Sequence, residues 1–143
     1  MKTLKRTTNA AFTLIEIMLV IVIVVALMAV LIPNLKNALS DSKREQAEIY
    51  IQKLAGDISL YEMTNNSPPS TAQGLRSLVE KPEGEPRPRK WSQREDKIEP
   101  DPWGMDYRYE YPGKHNKNGY DIFSCGPDKL PDTADDIGNW RTE

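Results

Sequence analysis

Apolar residues are spaced in two different ways along the first half of the chain. From Phe12 to Ile32 every residue is apolar except Thr13 and Glu16. At about 1.5 Å per residue, such a run crosses the hydrocarbon core of a bilayer as a single helix. Pro33 follows directly and is expected to kink or interrupt the helix, since it lacks an amide proton and clashes with the preceding turn. The pattern predicts a transmembrane helix over residues 12–33.

Beyond the proline, apolar residues recur at the three- and four-residue spacing of an amphipathic helix. This predicts a helix over residues 34–66, ended by the turn formers and prolines of residues 64–69. Its apolar stripe, which needs a globular partner to cover it, comprises Ala47, Tyr50, Ile51, Leu54, Ile58 and Tyr61.

Residues 67–143 are polar and proline-rich, with short apolar segments. A short second helix is expected over 70–80, followed over 80–104 by a charged, proline-rich loop that is solvated rather than packed, with Trp91 as its one anchor. Alternating tyrosines predict a strand over 105–111, and 120–124 predicts a second, antiparallel one. The predicted fold is α+β: a long N-terminal helix, transmembrane and then amphipathic, packed on a small antiparallel sheet that forms a head.

The charges before the apolar run predict its orientation. Lys2, Lys5 and Arg6 precede it without an acidic residue among them, so the N-terminus is expected in the cytoplasm and the head across the membrane. A cleaved secretory signal is the alternative. The run is longer than the 7–15 apolar residues usual in such a signal, and the small residues at 10–11 lie before it, so we favour a membrane anchor.

The composition argues against several functional classes. The 143 residues carry a net charge of −2, without a basic stripe, which argues against nucleic-acid binding. The single cysteine, Cys125, cannot form an internal disulfide, and we interpret it as a small apolar residue near a strand end. The single histidine, His115, lies in a polar turn. Because no phosphate-binding loop, zinc spacing or nucleophile elbow is present, we expect no enzymatic activity.

Glu16 is the first candidate for chemistry. Placing a carboxylate deep in a bilayer costs roughly 2.5–3.5 kcal/mol of free energy, so we expect a carboxylate at such a position to have a function. If a peptidase removed the leader before Phe12, the new α-amine of one copy would be able to pair with Glu16 of a neighbour. The alternative is that Glu16 lies near the membrane surface and reaches water.

The second candidate is the acidic stretch 124–140. Asp128, Asp132, Asp135 and Asp136 crowd one loop with Lys129 as the only cation among them, and Ca²⁺ accepts six to eight oxygen ligands. The spacing is not that of an EF-hand. A solvated acidic loop without a metal is the alternative.

Taken together, these segments resemble the major pseudopilin family of the bacterial type II secretion system, within the type IV pilin superfamily. The segment FTLIEIMLVIVIV (12–24) is similar to the signal shared by the whole superfamily. Four later blocks resemble the major pseudopilin in order along the chain: NNSPPSTAQGLRSLVEKP (65–82), DPWGMDYRYEYPG (101–113), YDIFSCGPD (120–128) and ADDIGNW (134–140).

The resemblance implies how the N-terminus is processed. Residues 1–11 would be a leader that a prepilin peptidase removes between Ala11 and Phe12, methylating the new amine of Phe12. Ala11 is a departure, because the family usually has glycine before the cut. Glu16 occupies the family's acidic position, which favours the salt bridge between subunits, and Pro33 lies where family helices loosen in the filament.

The resemblance also implies a calcium loop. Family ligands match Asp128, Asp135 and Asp136 by their side chains, whereas Cys125, Leu130 and Thr133 would contribute mainly backbone oxygen. Lys129 replaces a frequent glycine. Extracytoplasmic calcium sites of this kind bind at roughly 10⁻⁴–10⁻³ M.

The function that follows is that of a non-enzymatic filament subunit in the inner membrane. Copies would polymerise into a periplasmic pseudopilus that drives export of folded proteins across the outer membrane. The implied partners are further copies of the chain, minor pseudopilins, the inner-membrane assembly platform and the peptidase. Two alternatives stay open: a type IV pilin or competence pseudopilin, and a monomeric calcium-binding periplasmic protein with an uncleaved signal anchor.

Overall fold

A computed structural model describes residues 13–140 of the chain, except the side chains of residues 33 and 34. Helix α1 spans Leu14–Asn65, 52 residues. Its N-cap is Thr13, whose hydroxyl accepts a hydrogen bond from the Glu16 amide at 3.3 Å. The helix ends at Asn65, and the next residue, Asn66, takes a positive φ of 65° while its amide donates to the Glu62 carbonyl. Thr is favoured at the N-cap of a helix, and Asn is favoured just past the C-terminus, where a positive φ is needed.

Pro33 was expected to kink or interrupt the helix. The helix continues through Pro33 without an interruption. A proline inside a helix removes one hydrogen bond and costs roughly 3 kcal/mol. The intact turns on both sides outweigh that loss.

The chain divides into two units, one that ends at Leu39 and one that begins at Ser40. In the first, the anchor unit, every large apolar side chain from Leu14 to Ile32 is at least 42 % exposed. α1 is the one helix within the described residues that is long and apolar enough to cross a membrane. Such exposure of aliphatic side chains fits a segment covered by lipid or by other helices.

The second, the head unit, contains the core. Five of the six residues of the predicted stripe on α1 are buried, while Tyr50 is only partly buried. The stripe packs against the apolar residues of the rest of the head unit, which are Leu75, Leu78, Tyr107, Tyr109, Ile122 and Ile137. The prediction of a packing face on the second half of the helix is therefore confirmed.

A three-stranded antiparallel sheet in the order β1-β2-β3 supplies much of that core. β1 is Arg108–Glu110, β2 is Asp121–Ser124 and β3 is Ile137–Gly138. The predicted hairpin is confirmed, with Tyr109 opposite Ile122. β3 was not predicted, since two residues are too few to show a period of two.

The predicted second helix is shorter than expected. Only Leu75–Leu78 is helical, as a 3₁₀ turn, and it begins after Gly74 at a φ of 54°. Leu75 and Leu78 are both buried in this turn. The apolar spacing that predicted an α-helix therefore comes from a single packed turn.

The segment of residues 80–104, called the strap below, is not the solvated loop that its composition suggested. Trp91 does anchor it, since its indole nitrogen donates to the Ser77 carbonyl at 2.8 Å. Further along, the amides of Arg94 and Glu95 donate to the Leu78 carbonyl at 2.9 and 3.1 Å. Ile98 and Trp103 pack against the core. The prediction is wrong for the second half of the strap, because backbone hydrogen bonds and two apolar side chains hold it without any regular secondary structure.

Candidate functional site

Glu16 lies in the first turn of α1, three residues after the N-cap Thr13. A carboxylate in the first turn interacts favourably with the positive end of the helix dipole. Its side chain is exposed and makes no hydrogen bond or ion pair with residues 13–140. Ala11 and Phe12 lie outside the described residues, so the predicted cleavage site and the pairing of Glu16 with the Phe12 amine stay predictions.

The acidic loop connects β2 to β3, and it contains all six predicted calcium ligands: Cys125, Asp128, Leu130, Thr133, Asp135 and Asp136. Three of its residues take positive φ angles, namely Gly126 at 65°, Lys129 at 62° and Asp132 at 65°. At Gly126 a Cβ would lie 2.5 Å from the Asp135 carbonyl oxygen, so only glycine fits. Lys129 is held in the left-handed conformation that glycine adopts more easily.

The first two predicted carboxylate ligands, Asp128 and Asp135, take part in hydrogen bonds within the loop. Asp128 accepts the Leu130 amide at 2.9 Å. Asp135 Oδ1 accepts the Thr133 hydroxyl at 2.8 Å, and its Oδ2 accepts the Asp128 amide at 3.3 Å. The Thr133 hydroxyl, more than the amide, lowers the pKa of Asp135 below its usual range. For Asp135, the donors around it therefore favour the ionised carboxylate.

Asp136 differs from these two. Its Oδ2 accepts the Asp132 amide at 2.8 Å and the Thr133 amide at 3.4 Å. Its Oδ1 is buried and has no hydrogen-bond partner. A buried carboxylate oxygen without a donor costs free energy unless a cation or a water meets it. This orphaned oxygen fits a metal-binding role.

The loop thus has the donor chemistry for Ca²⁺, but its carboxylates do not converge. Within residues 13–140, no group of three or more His, Cys, Asp or Glu side chains is arranged to hold a metal. The remaining donors would be backbone oxygens, and the Leu130 carbonyl already accepts the Thr133 hydroxyl at 3.2 Å. Cys125 is buried, and burial raises the pKa of its thiol, as expected of an unreactive apolar residue.

Two carboxylates that the sequence reasoning missed are buried in the head unit. Asp101 accepts the Ser124 hydroxyl at 2.5 Å and thereby ties the strap to β2. Asp121 accepts the amides of His115 and Asn116 at 2.8 and 3.0 Å and so organises the turn between β1 and β2. Asp followed by Pro is a turn signal that marks Asp101 in the sequence. Asp121 sits inside a strand pattern and carries no such signal.

The single histidine is exposed and stacks on an aromatic ring. The His115 ring stacks on Trp140 with 3.8 Å between ring centroids, and Trp140 also lies 5.7 Å from Phe123. Trp140 therefore anchors the end of the described chain.

The comparisons with known proteins agree with one another. The family model of type II secretion system (T2SS), protein G, matches residues 34–140. Type II secretion system core protein G of Pectobacterium carotovorum subsp. carotovorum is 44 % identical over 134 residues, which cover 92 % of this chain and 85 % of that protein. The protein of the same name from Pseudomonas aeruginosa is 38 % identical over 142 residues, covering 96 % and 99 %.

A solved structure is similar as well. The crystal structure of the major pseudopilin from the type 2 secretion system of enterohaemorrhagic Escherichia coli superposes with a TM-score of 0.68 at 41 % identity. The match covers 76 % of this chain and 95 % of that one. The long helix with its small antiparallel sheet is thus the fold of a known pseudopilin.

Proposed function

The chain belongs to the protein G family of the type II secretion system, and we propose that it is the major subunit of a periplasmic pseudopilus. Polymerisation of the chain would drive the export of folded proteins across the outer membrane. The observation that carries this proposal is the match to protein G sequences along nearly the whole chain, together with the pseudopilin fold. The role is structural and requires no catalysis by the chain.

The proposed location before assembly is the inner membrane. The long apolar N-terminal helix fits a membrane anchor. The basic residues Lys2, Lys5 and Arg6 support a cytoplasmic N-terminus, and with that orientation the head unit would lie in the periplasm. The inner-membrane platform and minor pseudopilins would act on the chain there.

The proposed assembly step is an ion pair between copies. A prepilin peptidase cuts between Ala11 and Phe12 and methylates the new amine, which then meets Glu16 of a neighbouring subunit. This is supported by Glu16 itself, whose exposed carboxylate has no partner among residues 13–140 although it lies in an aliphatic segment. Because an unpaired charge in a low dielectric is costly, the pair would fix the register between helices.

We also propose that the acidic loop binds Ca²⁺. Asp128, Asp135 and Asp136 would hold the ion by their side chains, with Cys125, Leu130 and Thr133 contributing mainly backbone oxygen. The buried, unpartnered Oδ1 of Asp136 supports this. The ion would neutralise the crowded carboxylates and so stiffen the connection between β2 and β3.

The intact mass of the protein tests the processing step, measured from cells with and without prepilin peptidase. We expect loss of residues 1–11 and a gain of one methyl group only in cells with the peptidase. A full-length mass in both strains would rule out the filament proposal.

Filament formation tests the role of Glu16. We expect Glu16→Gln to abolish filaments while leaving the melting temperature of the head unit unchanged. Glu45→Gln is the matched control, because it removes an exposed carboxylate of the same helix outside the apolar run. Filaments that form equally well in both variants would refute the ion pair.

Thermal melting with and without calcium tests the loop. At a calcium concentration one hundred times Kd, binding stabilises a folded protein by about 2.7 kcal/mol, and we expect a corresponding rise in Tm that a chelator reverses. Asp136→Asn should remove this rise, while Asp106→Asn, an exposed carboxylate in the same unit, should keep it. Identical melting of the wild type with calcium and with chelator would refute the site.

A further inference from the structure

The turn between β1 and β2, residues 113–119, contacts the acidic loop and is called the brace below. It is built on the buried Asp121 carboxylate, which accepts the amides of His115 and Asn116 at 2.8 and 3.0 Å. At Gly113 a Cβ would lie 2.5 Å from Asp121 Oδ1, so a larger residue there would displace that carboxylate. The brace is therefore fixed to β2 by contacts that do not involve the acidic loop.

The brace contacts the acidic loop and the residues after β3 at two places. Lys114 Nζ donates to both carboxylate oxygens of Asp132, each at 2.9 Å. Past the end of β3, Asn116 Nδ2 donates to Asn139 Oδ1 at 3.3 Å. The ring stack described above lies beside this second contact. The loop is therefore held from outside both in its middle and beyond its end.

The Lys114 contact continues through the loop backbone to a proposed calcium ligand. Asp132 takes a positive φ of 65°, and its amide donates to Asp136 Oδ2 at 2.8 Å. A residue other than glycine is strained in this conformation and needs contacts that hold it there. Asp136 is thereby oriented with Oδ2 bonded to the loop and Oδ1 buried without a partner. Lys114 thus holds the residue that orients Asp136.

Charge and positioning give opposite expectations for Lys114. Among the four carboxylates of the loop, Asp132 alone is not a proposed ligand, and it is the one that pairs with Lys114. By charge alone, a lysine close to a divalent cation opposes its binding, because like charges repel. Removing Lys114 would then tighten calcium binding, whereas a lysine that positions the loop would weaken binding when it is removed.

We propose that Lys114 is a positioning residue for calcium, which holds Asp132 and through it keeps Asp136 oriented for the ion before the ion binds. This role depends on the calcium binding proposed above. A loop that is partly ordered in advance binds more tightly, because less ordering remains to be done when the ion binds. The brace thus raises calcium affinity without contributing a ligand.

Three variants of exposed lysines in the brace separate positioning from charge. Lys114→Met removes the ammonium group and keeps an unbranched chain, whereas Lys114→Arg keeps a cation with donors for both carboxylate oxygens. Lys117→Met is the matched control, because it removes an exposed cation from the same turn. Since both positions are exposed, all three variants should melt close to the wild type in the presence of a chelator.

The first measurement needs no calcium. With chelator present, NMR hydrogen exchange of the Asp132 amide in the full chain in detergent micelles reports its bond to Asp136. We expect exchange to be roughly two- to fivefold faster in Lys114→Met, the range for one exposed ion pair. Lys114→Arg and Lys117→Met should exchange as the wild type does. Equal exchange in Lys114→Met and in the wild type would overturn the proposal.

The second measurement is a calcium titration of the same samples, followed by the amide shifts of the acidic loop. We expect Kd to rise about two- to fivefold in Lys114→Met. Lys114→Arg should restore the affinity of the wild type, and Lys117→Met should not bind calcium less tightly. An unchanged or lower Kd for Lys114→Met refutes the role of Lys114 alone. A wild type without any response to calcium refutes the calcium site itself, and this role with it.

Discussion

Replacing Asp101 by alanine should unfold the head unit at a much lower temperature. The carboxylate is only 4 % exposed. Its Oδ1 accepts the amides of Trp103 and Met105 at 3.0 and 2.8 Å, and its Oδ2 accepts the Ser124 hydroxyl at 2.5 Å. One side chain therefore forms the turn at the end of the strap and fastens it to strand β2.

The magnitude follows from these three contacts. A hydrogen bond to a charged group contributes roughly 1.5–3 kcal/mol, and each partly buried donor left without a partner costs about 1–3 kcal/mol. Because contacts in one network are not additive, we expect a loss of about 3–5 kcal/mol in the free energy of unfolding. For a domain near 100 residues, this corresponds to a Tm lower by roughly 12 °C or more.

The assay is thermal and urea unfolding of the full chain in detergent micelles, followed by near-ultraviolet circular dichroism. Asp106→Ala is the control, because Asp106 is an exposed aspartate five residues further along, and it should stay within about 0.5 kcal/mol of the wild type. Asp101→Asn keeps an acceptor for the two amides and should fall between the two. A loss below about 1 kcal/mol for Asp101→Ala would refute the reasoning that this carboxylate holds the strap to the sheet.

Three further predictions concern the same unit. Leu54→Ala, at a fully buried position of α1, should cost about 2–5 kcal/mol in urea unfolding, whereas Leu60→Ala, 48 % exposed, should cost far less; equal losses would contradict the assigned core face. Trp91→Phe keeps an aromatic ring but loses the 2.8 Å hydrogen bond of the indole nitrogen. The free energy of unfolding should fall by about 0.5–1.5 kcal/mol, and proteolysis of the strap should become faster. An unchanged proteolysis rate would contradict the anchoring role. Burial raises the pKa of Tyr107 to about 12. The stability that its neutral phenol contributes should be complete below about pH 10 and should be lost between about pH 10 and 12. Ultraviolet titration and melting over this range check this, and Tyr107→Phe should lessen the loss.

Several features of the fold could be predicted from local spacing. A long aliphatic run and a three- and four-residue apolar period predicted helix α1, and the buried positions at Ala47, Ile51, Leu54 and Ile58 follow that period. Tyrosines in alternation predicted β1 and its pairing with β2. These features are periodic over ten or more residues, or alternate beside a turn, so the sequence alone carries the signal.

The candidate sites are marked in the sequence by unusual charges and not by periodic spacing. Glu16 stands out as a charge within an aliphatic run, and the acidic loop stands out as four carboxylates close together in sequence. What the sequence could not provide is the environment of each oxygen. That Asp136 Oδ1 is buried without a partner, while Asp135 is held by the Thr133 hydroxyl, depends on how the loop is folded back between β2 and β3.

The sequence by itself therefore determined the anchor segment, the helix, the hairpin and the family. The tertiary structure alone decided the course of the strap and the two-residue strand β3. The physical reason is the range of the interactions. Helix and hairpin form from contacts between residues close in the chain. The strap is also fixed by partners such as Lys53 and Ser124, which lie far from it in sequence and meet it only in the folded head unit. Its composition, charged and rich in proline, is that of a solvated loop, and composition says nothing about distant partners.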